Sequence, residues 1–279
     1  MVTVLLALGA AVAYGLSDFI GGVVSRRTSV WPVALTACLG AAIGTVGLAL
    51  VLPGDPTAAD YAWGLLAGVG SGTGTVFLYR GFAKGRMGVV APVSAVGAAL
   101  LPATLGVVTG ERPTLLVWTG MIVALPGIWL VSREPSEGER GSELAAGLVD
   151  GVLAGLGFGL LFAALGQVPD GAGYWPVVGT QVISMAAVVV AALLLKGDPV
   201  PHRAVEWWGL VAGLLATTAV VAFLLARQQG LLSVAAVLTS LYPAFTVLLA
   251  TLVLHERLHR GQAVGLALCT VTVVCVALG

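Results

Sequence analysis

One acidic residue stands deep inside an otherwise apolar stretch, and its neighbours could share its chemistry. Asp18 follows Ser17 directly and comes one helical turn after Tyr14, within the first apolar run of the chain. A carboxylate that far from water is costly unless it is paired, protonated or hydrated. Such a group can bind a proton in one state and release it in another, or it can contact a cationic substrate. The alternative is an interfacial acid that bonds a helix end or pairs with Arg26 or Arg27.

A second pattern matches the sequence motif of a zinc site. The segment His255-Glu256-Arg257-Leu258-His259 matches H-E-x-x-H, in which two histidines on one helical face bind zinc and the glutamate acts as a base. That chemistry also needs a third ligand and an open coordination position. The remaining histidine lies in a different connector, and the corresponding segment of the first half has none. We therefore expect no metal site, and interpret Glu256 and Arg257 as a charge cluster at a helix end.

The elements that must position these residues are apolar helices. The chain has 279 residues, of which 58% are hydrophobic and 9% are charged, whereas soluble domains carry roughly a quarter charged residues. About 20 apolar residues in a helix cross the hydrocarbon core of a bilayer. The sequence therefore predicts an all-α polytopic protein of the cell (inner or plasma) membrane. We predict ten transmembrane helices, at residues 2–24, 31–52, 61–80, 88–109, 113–132, 144–167, 173–195, 207–226, 231–254 and 261–278.

Basic residues are distributed unequally between the connectors. The connectors that follow the odd-numbered helices hold 11 of the 13 lysines and arginines, and those that follow the even-numbered helices hold only Arg112 and Arg227. Because cytoplasmic loops carry an excess of basic residues, this bias predicts cytoplasmic odd connectors and places both termini outside.

The pattern of the first half recurs in the second at an offset of about 145 residues. Gly64 and Gly68 align with Gly209 and Gly213, and Gly110-Glu111-Arg112 aligns with His255-Glu256-Arg257. Each copy has five spans, so the second must enter the membrane from the opposite side. We expect a 5+5 inverted repeat of residues 1–132 and 144–279 joined by a linker at 133–143. That architecture suits alternating access, although duplication for stability alone is the alternative.

A proline in the ninth span marks a second place of interest. Pro243 removes a backbone hydrogen bond to the carbonyl near Thr239. Carbonyls freed in this way must find partners or line a wet cavity. The stretch around Thr239 and Tyr242 is therefore a candidate cavity wall, and a kink satisfied by Thr239 or Ser240 is the alternative.

The same stretch carries a family resemblance. The run Leu241 to Thr246, followed by His255-Glu256-Arg257 and a glycine-containing last span, resembles the EamA family of the drug/metabolite transporter superfamily. The family's helix reads roughly L-x-P-x-x-T and ends in G-E-R; the first half keeps an intact Gly110-Glu111-Arg112, while His255 replaces the glycine of the second motif. The resemblance implies ten helices in an inverted repeat, a central pocket lined by helices 1, 3, 4, 6, 8 and 9, and secondary transport. It also implies cytoplasmic termini, against the charge count.

Aromatic and hydroxyl residues in those pocket-lining helices are candidates for contact with substrate or coupling ion. A second buried acid, Asp150, is interpreted as favoured by the dipole at the start of the sixth helix. Glu111 and Arg112, like Glu256 and Arg257, are expected to hold consecutive helices together where the chain leaves the membrane. The pocket candidates are Tyr14, Ser17, Asp18, Tyr79, Ser94, Phe158, Thr218, Thr239 and Tyr242.

Together these features predict a secondary transporter, not an enzyme. The expected substrate is a small organic metabolite such as an amino acid or amine, moved by alternating access and exchanged for protons, since the sequence has no ATP-binding motif. An uncoupled facilitator and a flippase of a lipid-linked intermediate are the alternatives. We expect membrane lipids as partners, no cofactor, no nucleic acid, and a monomer or homodimer.

Overall fold

The structure is a computed structural model that describes the backbone of residues 1–25, 27–83, 87–132, 141–255 and 259–279. Its account of side chains leaves out residues 79, 81–83, 87–89, 91–92, 132 and 141–146. All regular secondary structure in the described part of the chain is helical.

Eleven α-helices account for the ten predicted spans. Among the described residues, seven spans are long and apolar enough to cross a membrane, and two shorter apolar segments occupy Val93–Val108 and Leu115–Val131. The chain is thus an all-α polytopic membrane protein. In order, the helices are α1 Val2–Ser25, α2 Val30–Val51, α3 Ala58–Ala83, α4 Met87–Val108, α5 Leu115–Ser132, α6 Gly141–Leu165, α7 Trp175–Leu194, α8 Trp208–Gln228, α9 Leu232–Thr239, α10 Tyr242–Val253 and α11 Arg260–Leu278.

The ninth span is broken, which corrects the single helix expected over 231–254. It consists of α9 and α10, separated by Ser240 and Leu241. Pro243 occupies the second position of α10, where its missing N–H has no intrahelical acceptor to lose. The proline therefore begins a new half-helix. By contrast, α4 runs without a break through Pro92 and Pro102.

The two ends of the helix bundle collect different connectors. One end, which we call the terminal end, holds both chain termini and the connectors after α2, α4, α6 and α8. The other, which we call the basic end, holds the connectors after α1 and α7, where the Arg203 guanidinium donates to the Arg27 carbonyl (3.2 Å) and Thr28 bonds Glu206. At the terminal end, Thr3 Oγ1 donates to Gln229 O (2.9 Å), Asp55 N donates to Gly171 O (2.9 Å) and Thr114 Oγ1 donates to Gly279 O (3.5 Å).

The helices of the two halves pack mainly against each other. The most extensive helix pairs are α3 with α6 and α7, α4 with α6, α1 and α2 with α8, and α5 with α11. Glycines allow several of these approaches: a Cβ on Gly97 of α4 would lie 2.7 Å from the Gly155 Cα of α6. Close backbone contact of this kind stabilises helix pairs in lipid, where no hydrophobic force drives one helix against another.

The buried acid Asp150 is held by an ion pair, which corrects its assignment to a helix dipole. Because α6 begins at Gly141, Asp150 lies in the third turn, and the dipole acts mainly on the first. The Arg80 guanidinium of α3 donates to Asp150 Oδ1, at 2.8 Å from Nε. Arg80 also covers the Phe77 ring at 4.6 Å. This pair joins α3 of the first half to α6 of the second.

Candidate functional site

The position of Asp18 is defined by one stripe of α1. Ala7 and Ala11, on the same helical face, are fully buried, whereas Asp18 and Gly22, farther along that face, are exposed. The opposite face of α1, which carries Leu5 and exposes 65% of it, points away from the other helices. The exposure of Asp18 therefore belongs to an opening on the side of α1 that faces the other helices, between the middle of α1 and the basic end.

Aromatic side chains from four helices form a series of ring contacts that begins beside this opening. The Tyr14 ring of α1 stands edge-on to Phe162 of α6 and beside Tyr242 of α10, with both pairs of ring centroids 6.0 Å apart. Phe162 continues to Phe223 of α8 at 4.9 Å. Asp18 lies within electrostatic range of both tyrosine hydroxyls. We call Tyr14, Asp18, Phe162, Phe223 and Tyr242 the central cluster.

Two members of the central cluster were not found from the sequence. Phe162 and Phe223 are buried apolar residues in apolar helices, and nothing in their spacing separates them from ordinary packing residues. One signal was available: Phe162 comes one turn after the candidate Phe158 on α6. Phe158 itself lies against α3, where its ring covers Gly74, so a Cβ on Gly74 would be 2.8 Å from Phe158 Cδ1.

The helix α10 contacts α1 at the level of the central cluster. Thr246 Oγ1 donates toward the Gly15 carbonyl at 3.3 Å. A Cβ on Gly15 would lie 2.6 Å from Phe245 Cβ and 3.0 Å from Tyr242 O. Only glycine allows this approach, which brings the start of α10 beside Tyr14 and Asp18.

The half-helix α9 is enclosed by protein on all sides. Every residue from Leu232 to Leu241 is buried, and α1, α4, α5 and α8 pack around it. Two of its side-chain hydroxyls, those of Ser233 and Thr239, and that of the adjoining Ser240 are buried without a hydrogen-bond partner in the described part of the chain. A buried polar group without a partner costs about 1–3 kcal/mol, so such groups call for an explanation in function.

The N-terminus of α9 is capped by a residue from the other half of the chain. Glu111, which follows α4, accepts hydrogen bonds from the backbone N–H groups of Leu232 and Ser233, the latter at 3.0 Å. This corrects the expectation that Glu111 and Arg112 join helices α4 and α5. Arg112 is exposed. The equivalent residues Glu256 and Arg257 lie outside the described residues.

The remaining candidates have varied positions. Ser17 is buried and donates to the Ala212 carbonyl of α8 at 2.8 Å, so it joins two helices. Thr218 lies on the exposed face of α8 beside Leu214, whose carbonyl accepts its hydroxyl proton. Ser94 is 2% exposed and lies in α4 where that helix meets Gly155 of α6. The side chain of Tyr79 lies outside the described residues.

Chemically, the arrangement offers a carboxylate and two phenols beside an opening near the middle of the bundle, with the buried Phe162 ring packed next to Tyr14 and the buried Phe223 ring next to Phe162. A carboxylate beside aromatic rings can hold a proton or an organic cation. Within the described part of the chain, no three His, Cys, Asp or Glu side chains come close enough to hold a metal ion.

Comparison with known proteins identifies the fold and the family. A crystal structure of a protein that is 18% identical in sequence superposes with a TM-score of 0.70, over 99% of this chain and 96% of that chain. That similarity concerns the fold alone. No curated protein matches the chain. The profile of the EamA-like transporter family matches twice, at residues 1–133 and 145–278. Since these two matches cover nearly the whole sequence, the chain belongs to the EamA-like transporter family and contains two repeats of its unit.

Proposed function

We propose that this chain is a proton-coupled secondary transporter that exports a small organic amine or amino acid by alternating access. Membership of the family makes it a membrane transporter of the drug/metabolite type, whose members are transporters and not enzymes. The proposals of proton coupling and of an amine or amino-acid substrate rest on Asp18. Its carboxylate is exposed to an opening inside the bundle, within electrostatic range of Tyr14 and Tyr242.

The organisation of the chain supports alternating access. Matching connectors of the two repeats lie at opposite ends: the connector after α1 is at the basic end, and its counterpart after α6 is at the terminal end. Two copies that enter the membrane from opposite sides share a central site that can open to either face. The broken ninth span fits this architecture, because irregular backbone at membrane depth is tolerated where it is enclosed or lines a cavity.

The described conformation corresponds to one of the two states that such a transporter needs. The terminal end is closed by α9, every residue of which is buried, while Asp18 and Gly22 are exposed toward the basic end. Positive-inside counting assigns the basic end to the cytoplasm. On that assignment the conformation is open to the cytoplasm, with Asp18 available to bind substrate or proton from that side.

The chemistry of the central cluster favours a cationic substrate. Among the described residues no basic side chain pairs with Asp18, so its carboxylate is free to receive a proton or an ammonium group. Tyr14 and Tyr242, which are both partly exposed, present aromatic surface, which attracts organic cations and suits amphipathic solutes. If proton and substrate compete for the same carboxylate, binding of one releases the other, and exchange follows.

The proposal is tested with purified protein in lipid vesicles. A thermal-shift screen of amines and amino acids first selects a substrate, and uptake is then driven by a pH gradient. We expect Asp18→Asn to reduce pH-driven uptake by about 100-fold, on the order of a charged contact removed from a low-dielectric site. Asp55→Asn, which neutralises an exposed acid in a connector at the terminal end, is the matched control and should transport normally.

Two outcomes decide the mechanism. If Asp18→Asn retains pH-driven accumulation, Asp18 is not the coupling site and the proposal is wrong. If the wild type only equilibrates substrate across the membrane under an imposed pH gradient, the chain is an uncoupled facilitator.

A further inference from the structure

We propose that α9 is the moving gate at the terminal end and that Glu111 is the latch that holds it closed. This inference rests on the proposed alternating access. It assigns Glu111 the role of a positioning residue, which acts on transport through α9 without contact with the substrate.

The backbone around Glu111 is shaped to deliver its carboxylate to α9. Gly110 has a φ of +106°, a backbone conformation that residues other than glycine rarely adopt. The N–H of Glu111 then donates a hydrogen bond to the Gly106 carbonyl at 2.9 Å. The carboxylate then lies over Gly106, where a Cβ would collide with it. Two glycines one turn apart therefore serve one purpose, which is to turn Glu111 back toward the bundle.

The bonds that Glu111 makes suit a reversible latch. The first N–H groups of a helix have no intrahelical partner, and a negative charge is stabilised there by the helix dipole. Glu111 satisfies those of Leu232 and Ser233, at the first and second positions of α9. The latch joins the first repeat to the second, so movement of one repeat against the other at this end must break it.

The unpartnered hydroxyls of Ser233, Thr239 and Ser240 indicate that α9 can leave its closed position readily. Ser233, Thr239 and Ser240 are each fully buried, and their hydroxyls have no hydrogen-bond partner among the described residues, which destabilises the closed conformation relative to one in which water reaches them. Opening of the terminal end would hydrate these groups and release the bonds to Glu111. The two effects oppose each other, so hydration of the hydroxyls offsets part of the cost of breaking the latch.

Other charges at the terminal end are peripheral to this contact. Arg112 is exposed, and Arg227 pairs at 3.6 Å with Asp170, whose side chain is 63% exposed. Neither feature reaches into the bundle as Glu111 does. Hydrogen bonds from Thr3, Asp55 and Thr114 also join the two repeats at this end, but Glu111 supplies the charged contact to α9.

The test measures accessibility at both ends in one protein. In a background in which Cys38, Cys269 and Cys275 are replaced by alanine, Ser240→Cys reports on the terminal end and Gly22→Cys on the basic end. Gly22 has open space where a Cβ would be added. A membrane-impermeant thiol reagent is applied from either side of oriented vesicles, and labelling rates are compared between wild-type Glu111, Glu111→Gln, Glu111→Ala and the adjacent control Arg112→Gln.

Loss of the latch should shift the population toward the state open at the terminal end. We expect Glu111→Ala to accelerate labelling of Ser240→Cys about tenfold, which equals about 1.4 kcal/mol and lies in the range of a lost helix cap. Labelling of Gly22→Cys should slow correspondingly, with Glu111→Gln intermediate and Arg112→Gln unchanged. The reciprocal change is the signature of a shifted gate, because simple loosening of the fold would accelerate labelling at both positions.

The proposal is overturned if both labelling rates rise together, or if neither changes. The measurement needs no substrate, so it is independent of the coupling role proposed for Asp18. Reciprocal labelling together with unimpaired pH-driven uptake by Asp18→Asn would retain the latch and reject the proton coupling.

Discussion

Asp18 and Asp150 are two acids inside apolar helices, and they have opposite surroundings in the structure. Asp150 is 1% exposed and bonds the guanidinium of Arg80, so its charge is compensated within the protein. Asp18 is exposed to an internal opening and lies within electrostatic range of the Tyr14 and Tyr242 hydroxyls. The same side chain thus serves as a fixed joint between α3 and α6 in one place and as an available charge in the other.

Asp18 and Asp150 show that the position of an acid deep in the membrane does not by itself indicate a role in function. A buried carboxylate with a guanidinium partner contributes to assembly, and its removal is costly because the remaining charge loses compensation. A carboxylate in a wet opening contributes little to stability and can change its protonation or its partner during transport.

Arg80→Gln should lower the free energy of unfolding by about 3 kcal/mol, because it removes a charged partner from the buried Asp150 carboxylate. Thermal unfolding in detergent measures this change. Asp18→Asn is the matched variant at the other acid and should change stability by less than about 0.5 kcal/mol. Equal destabilisation by the two variants would contradict the distinction between the acids.

Tyr242→Phe should weaken substrate affinity about fivefold, since a hydroxyl beside Asp18 typically contributes about 1 kcal/mol when it bonds a ligand. Its stability should remain that of the wild type, because Tyr242 is only partly buried. Uptake kinetics at several substrate concentrations provide the measurement. Unchanged affinity would remove Tyr242 from the central cluster's proposed binding role.

Ser17→Ala should destabilise the protein by about 1 kcal/mol and leave substrate affinity unchanged, because its buried hydroxyl bonds Ala212 O of α8. Ser17 is next to Asp18 in sequence but faces a different helix. Thermal unfolding and uptake assays on the same preparation separate the two effects. A change in affinity without a change in stability would instead place Ser17 at the site.

Thr218→Val should have the smallest effect, within about 0.5 kcal/mol in stability and with normal uptake, because its hydroxyl bonds its own helix on an exposed face. The same two assays apply. Impaired transport by this variant would mean that the exposed face of α8 contacts substrate or a partner.

The sequence predicted the helices well and the contacts between them poorly. Apolar length alone located the helices, because crossing hydrocarbon demands about 20 residues without charge. Pro243 signalled irregular backbone, but whether the helix kinks or breaks depends on the packing around Ser240 and Leu241. Asp18 was recognisable as a single costly charge. Phe162 and Phe223 were not recognisable. The sequence of an apolar helix does not show whether an aromatic residue on it faces lipid, the packed core or a cavity.

The recurrence of Gly110-Glu111-Arg112 likewise indicated a motif without indicating its partner. Two helices that are consecutive in sequence are the nearest candidates for such a cluster, yet Glu111 bonds α9, about 120 residues further along. The reason is that the two halves interleave, so the neighbours of a residue at a helix end come from the other repeat.

The class of protein, its apolar helices and one unexplained internal charge can be read from the amino-acid sequence, since each follows from local composition and the energetics of lipid. Which acid is compensated, where the opening lies and what Glu111 caps follow from the folded arrangement alone. Those properties depend on which helix faces which, and in a bundle whose halves pack across each other that choice is made by close glycine contacts and long-range hydrogen bonds.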